Sequence, residues 1–260
     1  MSWGRIWAVF LRYFYYFAKL DHLADLFYWP AIDIFLWGMT SVWIQKQEGG
    51  VSDLALAILT GLIFWQIVWR ANYEITVNLL QEFWNRNLVN LFSTPLKRSE
   101  WVAALFIIGI AKICISMLFG SLLVYLLYTL NVFSVGWAFV PYAVSLTLSG
   151  WFMGFLSGGI IVYYGQRVQM LAWMIPYVFA LFSAVYYPLS ALPHWAQVIA
   201  QALPTTHIFE GMRQVLNDHQ FSLKTLLLSY LLNFIYLGLS MVFFNFMFEK
   251  SRNKGLSRVE

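Results

Sequence analysis

Long apolar segments, separated by short polar ones, make up most of this chain. A helix needs about 20 apolar residues to cross a bilayer, and six segments reach that length. They cover residues 24–45, 54–78, 99–130, 137–165, 168–189 and 225–248. The pattern predicts an all-α polytopic membrane protein, a single domain over residues 1–260 with six transmembrane helices.

The stretch between the second and third apolar segments is the one around which we interpret the chain. Over residues 79–94, apolar side chains recur at spacings near three and four, which is typical of an amphipathic helix. They are Leu79, Leu80, Phe83, Leu88, Leu91 and Phe92, with Glu82, Asn85, Arg86, Asn87 and Asn90 on the polar face. Pro95 disfavours helical geometry at Thr94 and so ends the helix. Such a helix between two spans suggests a handle by which a partner protein moves the membrane domain.

The beginning of the chain predicts a helix that lies in the membrane interface. Over residues 2–20, Arg5, Arg12 and Lys19 are seven residues apart and share one slowly drifting stripe. Aromatic residues fill the opposite face, as expected for an interfacial amphipathic helix. The alternative is an ordinary first span that tolerates three cations.

Residues 190–222 predict an extracellular helical hairpin. Pro193 and Pro204 bracket a segment that is too short to cross a bilayer about 30 Å thick. Beyond Pro204, Thr205 and Thr206 offer an N-cap for a second short helix. Two short helices between full spans are typical of a re-entrant or surface hairpin.

Composition and charge support the membrane assignment and give the orientation. Hydrophobic residues make up 61% of the chain and charged residues only 11%, whereas soluble domains carry about 25% charged residues. The formal charge of +4 does not indicate a nucleic-acid partner, because the cations lie near the ends of apolar segments. Eleven Lys or Arg residues fall on the side of the termini and residues 79–94, against three on the other side. The positive-inside rule therefore places both termini in the cytoplasm.

The sequence contains none of the short motifs that bind nucleotides or catalytic metals. There is no GxxxxGK[ST] phosphate-binding loop, no HExxH and no CxxC. Cys114 is the only cysteine, so a disulfide framework is excluded. We therefore expect no catalytic residue, metal or cofactor in this chain, and any nucleotide energy must come from another chain.

Four ionisable residues fall inside the predicted spans, where such groups are functional by default. They are Asp33, Arg70, Glu74 and Lys112. Arg70 and Glu74 are four residues apart on one helical face, so they form either a gate or a structural ion pair. Asp33 and Lys112 are candidates for a pair that joins the first and third spans.

Aromatic residues make up 20% of the chain. The simplest interpretation is that most of them form belts at the membrane interfaces or face the lipid. Trp65, Trp69 and Tyr73 recur every four residues on the second span and are better candidates for a translocation path. Tyr186 and Tyr187, at the outer end of the fifth span, are the next candidates.

A ridge of small residues on the fourth span predicts close helix contact. Gly150, Gly154 and Gly158 recur every four residues, a spacing that lets helix backbones approach. The simpler interpretation is packing within the chain, and the alternative is a dimer seam.

Several stretches resemble the type-2 ABC transporter permeases, which serve bacterial export of polysaccharides, teichoic acids, drugs and lipids. The run Asn87–Leu96 (NLVNLFSTPL) is similar to a family run that ends in a Leu-Leu-x-Thr-Pro-like turn. More specific are Tyr187–Pro193 (YPLSALP), followed by Trp195, and Leu203–His207 (LPTTH), followed by Glu210–Arg213 (EGMR). The order of the predicted elements is similar as well.

The resemblance implies a homodimeric membrane domain in the lipid of a bacterial plasma (inner) membrane, bound to two ABC ATPase subunits that use ATP and Mg. Residues 79–94 would be the coupling helix, seated in a groove of the ATPase. Its candidate contacts are Phe83, Trp84, Leu88, Leu91 and Phe92. The leading hypothesis is a permease subunit that moves an amphiphile (a drug, a lipid or a lipid-linked glycan) out of the cytoplasm.

Two other function classes stay open at this point. One is an integral-membrane enzyme that modifies lipids with His194, His207 and Glu210 at the outer face, although no nucleophile lies beside them in sequence. It predicts activity of the isolated chain without ATP. The other is a passive channel or receptor anchor, which would show ATP-independent flux or none.

Overall fold

A computed structural model describes residues 1–17, 20–47 and 54–254. These residues form ten α-helices and contain no strand. The helices are α1 (Trp3–Phe17), α2 (Leu20–Gln47), α3 (Leu54–Trp84), α4 (Leu88–Ser93), α5 (Arg98–Tyr128), α6 (Phe139–Tyr164), α7 (Leu171–Phe182), α8 (His194–Gln201), α9 (Pro204–Asp218) and α10 (Leu223–Lys254). Short 3-10 helices cover Val132–Ala138, Gly165–Val168 and Leu189–Ala191. Lys19 and the end of the tail, which the orientation argument used, lie outside the described residues.

Within the described part of the chain, four helical segments are long and apolar enough to cross a membrane. They are Ala55–Trp84, Arg98–Tyr128, Val132–Val168 and Leu223–Lys254. The all-helical class is therefore confirmed for these residues, and several helices have the length and composition of a membrane crossing. The count of six crossings remains a prediction.

The helix in the fifth predicted span is much shorter than the sequence indicated. α7 has 12 residues, about 18 Å of helix, whereas the prediction was a helix over 168–189. Before α7 the chain runs as a 3-10 helix to Val168. After α7 it turns through Ala184, whose φ of 54° is left-handed. The prediction is therefore wrong at both ends of the helix.

The third helix, α3, is the centre of the bundle. It contacts α2, α5, α6 and α7, and part of it is enclosed on every side. Its fully enclosed residues include Leu59, Leu62, Ile63, Phe64, Ile67, Val68 and Ala71. A helix that is apolar all round is typical of a buried position, which agrees with the central place of α3 in the bundle.

Small and polar residues let α6 approach its neighbours closely. Toward α10, Ser149 Oγ donates to Asn233 Oδ1 at 2.8 Å, and Asn233 Nδ2 donates to the Ser145 carbonyl at 2.9 Å. Toward α3, Gly150 leaves no room for a Cβ atom, which would lie 2.4 Å from the Ala71 Cβ. The glycine ridge therefore packs within the chain, as the simpler interpretation predicted.

The helices α8 and α9 close one end of the bundle. α9 contacts the helices α6 and α10, and Ser229 Oγ donates to the Pro204 carbonyl at 2.8 Å. Pro204 is the first residue of α9, where its missing N–H is not needed. Thr205 lies inside the helix and is not the N-cap that the sequence predicted. Its hydroxyl lies 2.6 Å from that of Ser183 and so ties α9 to the end of α7.

Candidate functional site

The segment predicted to couple the chain to a partner is a corner between two helices. α3 continues to Trp84, and α4 begins only at Leu88. Arg86 between them has a left-handed φ of 50°, and the Asn87 N–H bonds to the Glu82 carbonyl at 2.8 Å. A left-handed residue followed by such a back-bond is a common way for a helix to end. The prediction of one continuous helix over 79–94 is therefore wrong.

The structure divides the predicted coupling residues into two groups. Phe83, Leu88 and Leu91 are buried within the chain and cannot meet a partner directly, so their predicted contact role is wrong. Phe92 is half-buried, with its ring centroid 4.9 Å from that of Phe248. Trp84 is 45% exposed. The exposed residues of the corner are Trp84, Asn85, Arg86, Val89, Asn90 and Ser93, and we refer to this set as the exposed corner.

A buried carboxylate at the corner fastens α1 to it. Glu82 is 1% exposed, although the sequence placed it on a polar outer face. Its carboxylate accepts hydrogen bonds from Arg12 Nη2 at 2.8 Å, Tyr13 Oη at 2.7 Å and Asn87 Nδ2 at 2.7 Å. Three donors, one of them cationic, compensate for burying the charge. Burial and the nearby Glu82 carboxylate raise the pKa of Tyr13, so its hydroxyl keeps the proton that it donates.

A second buried carboxylate fastens the beginning of α1 to the beginning of α5. Glu100 accepts two bonds of 2.7 Å from the Arg5 guanidinium. It also accepts from the backbone N–H groups of Ser2 at 2.7 Å and Lys97 at 3.0 Å. Sequence analysis missed Glu100, although an acid at the third position of a helix is a known capping signal. α1 is thus attached at two points to helices that lead into the membrane.

Tyr13 offers a direct test of the attachment at Glu82. Its hydroxyl donates to Glu82 and accepts from Trp101 Nε1 at 2.9 Å. Tyr13→Phe should therefore lower the free energy of unfolding by about 1–3 kcal/mol, because both partners stay buried with a lost bond. Thermal unfolding of the purified protein measures this. Tyr15→Phe is the matched control, since Tyr15 is 70% exposed, and equal melting temperatures for the two variants would contradict the assignment.

The intramembrane charges pair differently from the prediction. Lys112 Nζ donates to both carboxylate oxygens of Glu74, at 2.8 and 2.9 Å, in a buried pair between α3 and α5. Asp33 on α2 instead accepts from Gln66 Nε2 at 3.2 Å. Gln66 and Glu74 are eight residues apart on α3, about 12 Å along its axis. The predicted pair of Asp33 and Lys112 is therefore wrong, because the two residues lie at different depths.

The fourth intramembrane charge lies between these two levels. Arg70 is buried on α3, with its guanidinium 5.6 Å from the centre of the Tyr73 ring. A cation beside an aromatic face is attracted by the ring quadrupole. Glu74, which the sequence offered as the partner of Arg70, makes its hydrogen bonds with Lys112 and Asn78. The gate interpretation of Arg70 and Glu74 stays untested.

The aromatic candidates fall into a buried group and a partly exposed one. Trp65 is 4% exposed, with its ring 6.2 Å from that of Phe209, and belongs to the core. Trp69 lies 5.0 Å from the ring of Tyr177 on α7, and both are accessible. Tyr187 donates to the Leu181 carbonyl and so closes the turn after α7.

The remaining aromatic candidate, Tyr186, contacts a residue that sequence analysis missed. The ring of Tyr186 stacks on that of Trp37 of α2, with centroids 4.9 Å apart and planes 12° apart. Trp37 is four residues from Asp33, and so lies one helical turn along the same face. The one sequence signal that could have identified Trp37 as a candidate site residue is its position one helical turn after Asp33.

Two of the three residues of the alternative enzyme, His207 and Glu210, have structural partners. His207 Nε2 lies 2.9 Å from the Gln201 carbonyl, and burial lowers the pKa of His207. Glu210 accepts from the Leu189 backbone N–H and from Arg213, both at 2.9 Å. These bonds tie the hairpin helices to the turns around them. No group of three metal-ligating residues occurs in the described ranges.

Comparison with known protein families gives a match over most of the chain. A family model described as ABC-2 type transporter matches residues 6–217. The chain belongs to the ABC-2 type transporter family. The match begins in α1 and ends in α9, so it includes the corner and the attachment of α1 at Glu82. No curated protein matches the chain significantly.

Family membership gives the general role of the chain. An ABC-2 membrane domain is the permease component of an ABC transporter, and such domains are typically transmembrane components without an ATPase site of their own. The family implies an ABC ATPase as partner in general. The suspected resemblance to the type-2 permeases is thus confirmed.

Proposed function

We propose that the chain is the membrane subunit of an ATP-driven exporter that moves an amphiphile out of the cytoplasm. Two copies of the chain would associate with two ABC ATPase subunits, which bind ATP and Mg. The membrane would be a bacterial plasma membrane crossed six times, by α2, α3, α5, α6 and α10 and by the longer apolar segment that contains α7. α2 has 28 residues, about 42 Å of helix, which is long enough for a crossing.

The distribution of cations supports a cytoplasmic location for both termini. Arg98, at the beginning of α5, pairs at 2.7 Å with Glu249, near the end of α10. Lys254 lies over the ring of Tyr163 at the end of α6. Arg5 of α1 reaches the beginning of α5 through Glu100. The basic ends of α1, α5 and α10 thus meet beside the end of α6 at one end of the bundle, which the positive-inside rule assigns to the cytoplasm.

The observation that carries the proposal is the exposed corner at this same end. Trp84 and Val89 remain exposed there, while the buried residues below them hold the corner rigidly to α1, α5 and α10. A rigid, partly apolar projection fits a groove in a partner better than a mobile loop does, because less conformational freedom is lost on binding. We therefore assign the contact with the ATPase to the exposed corner.

The same packing provides a route by which movement of the corner would reach the substrate. α3 continues without interruption from the corner into the bundle, and its 31 residues span about 46 Å. A displacement at Trp84 therefore reaches Trp69 and Gln66 through one rigid element. α1 would move with the corner, because Arg12 and Tyr13 bind Glu82.

Binding of the ATPase tests the proposal. Val89→Asp should weaken the association by at least about tenfold, because an unpaired charge enters the contact, and co-purification or surface plasmon resonance measures it. The fold should survive, since Val89 is 38% exposed. Val198→Asp is the matched control, because Val198 is 59% exposed on α8 at the opposite end of the bundle. Unchanged ATPase binding by Val89→Asp, or labelling of the corner from outside the cell, would refute the proposed contact.

A further inference from the structure

Asp33 is a carboxylate inside the bundle whose charge has no cationic partner among the described residues. It is half-buried, and the polar contact that the structure gives it is a bond of 3.2 Å from the neutral amide of Gln66. By contrast, the buried carboxylates Glu74, Glu82 and Glu100 each bind a Lys or Arg. A carboxylate at membrane depth is costly unless it is paired. The chain thus places an acid where a positive group from elsewhere would be stabilised.

Aromatic pairs lie on both sides of this carboxylate along the helix axes. On α2, Trp37 is one turn beyond Asp33 and stacks on Tyr186. On α3, Trp69 lies three residues beyond Gln66, in the opposite direction along the bundle, and contacts Tyr177. The helices α2, α3 and α7, with the turn after α7, therefore present one acid between two accessible aromatic pairs.

We propose that this cluster (Asp33, Trp37, Trp69, Tyr177 and Tyr186) binds the positively charged group of a lipophilic organic cation. The inference rests on the proposed export function, and it names the substrate class. A quaternary ammonium or phosphonium group is attracted by the faces of aromatic rings, and the Asp33 carboxylate adds a full opposite charge. The apolar body of the ligand would lie against the rings and the neighbouring lipid.

The surroundings favour a cation with a diffuse charge over other amphiphiles. An anionic lipid or lipid-linked phosphate would be repelled by Asp33, and the one cation nearby on α3, Arg70, lies one turn from Gln66 and turns to Tyr73. The rings offer few hydrogen-bond acceptors for the N–H groups of a compact ammonium ion. A delocalised or alkylated cation needs no such acceptors and loses little hydration on entry, which suits a site walled by Trp and Tyr.

Two ions of equal shape and opposite charge test the proposal. Tetraphenylphosphonium and tetraphenylborate would be titrated against the purified full-length chain in nanodiscs, with binding measured by equilibrium dialysis. We expect saturable binding of tetraphenylphosphonium, and weaker binding of tetraphenylborate by at least about tenfold. Asp33→Asn should lower the phosphonium affinity at least about tenfold, because it removes the charge at constant shape. Asp33→Glu should retain most of the affinity.

Matched variants separate the site from general effects. Asp218→Asn makes the same change at an exposed position of α9 and should bind as the wild type does. If Asp33→Asn proves poorly folded, Trp37→Leu should also lose affinity, and Trp37→Phe should keep most of it. Equal binding of both ions, or an Asp33→Asn variant that is folded and binds like the wild type, would overturn the proposal.

This experiment is independent of the test of the export function. Binding to the isolated chain requires no ATPase, so Val89→Asp should bind tetraphenylphosphonium normally. A chain that recruits an ATPase through the exposed corner but shows no saturable phosphonium binding overturns the substrate class alone. If the chain binds phosphonium but the exposed corner recruits no ATPase, the result supports the cation site at Asp33 and overturns the proposed export function.

Discussion

Replacing Lys112 by methionine is expected to lower the free energy of unfolding by about 3–5 kcal/mol. Lys112 and Glu74 form a buried pair at 2.8 Å, in which the Glu74 side chain is 1% exposed. Methionine fills much of the volume of the lysine stem but leaves the Glu74 carboxylate in the bundle with only the Asn78 amide as a donor. The cost is therefore that of an uncompensated buried charge. Reversible unfolding in bicelles measures it.

The double variant shows whether the pair itself or the unmatched charge carries the effect. Glu74→Gln combined with Lys112→Met removes both charges, and replacement of buried pairs by neutral groups is often close to neutral in stability. We expect the double variant to recover most of the loss. Lys224→Met is the matched control, because Lys224 is exposed at the beginning of α10. A double variant as unstable as Lys112→Met would show that packing is responsible.

The membrane class and the family were predictable because they depend on patterns that survive without tertiary information. Apolar length alone indicates a crossing helix, and four helices of that length and composition occur among the described residues. The turn of Asn87–Leu96 and the hairpin motifs were sufficient to suggest the family that the comparison then showed. The position of α7 was not predictable in this way. Its apolar sequence continues beyond Phe182, and only contacts such as that of Ser183 with Thr205 end the helix.

The interpretation of the corner failed for a different physical reason. Helical spacing identifies an apolar face but does not say what covers it. Phe83, Leu88 and Leu91 were assigned to an external partner, whereas they belong to an apolar cluster within the chain that includes residues of α1, α5, α6 and α10. Glu82 was likewise placed in water, because the sequence does not show that Arg12 and Tyr13 reach it across 70 and 69 positions.

The charges inside the membrane show the same limit. The sequence identified which ionisable residues lie inside the bundle, but which of them pair depends on their depth along α3. Glu74 lies level with Lys112, and Gln66 lies level with Asp33. Depth depends on the tilt and stagger of neighbouring helices, which the order of residues does not specify. The proposed cation site became visible only when the unmatched acid could be placed between Trp37 and Trp69.

Gly150→Ala is expected to destabilise the protein by about 1–3 kcal/mol, although helix propensity alone predicts a gain. An alanine Cβ at this position would lie 2.4 Å from the Ala71 Cβ and 2.4 Å from the Val68 carbonyl oxygen. The second of these atoms belongs to the backbone, so it cannot rotate away. α6 and α3 must separate to admit one methyl group, and the contact that they lose lies at the centre of the bundle.

Gly238→Ala is the control that isolates this packing effect. Gly238 also lies within a long helix, α10, but a Cβ there would meet nothing within 4 Å. Its replacement should therefore raise the free energy of unfolding by about 0.5–1 kcal/mol, through helix propensity alone. Opposite signs for the two glycine variants in one unfolding assay would establish that α3 and α6 are held at backbone contact. If Gly150→Ala instead stabilises the protein as much as Gly238→Ala does, the two helices lie further apart than described. In that case a displacement at the corner would not pass from α3 to α6 through this contact.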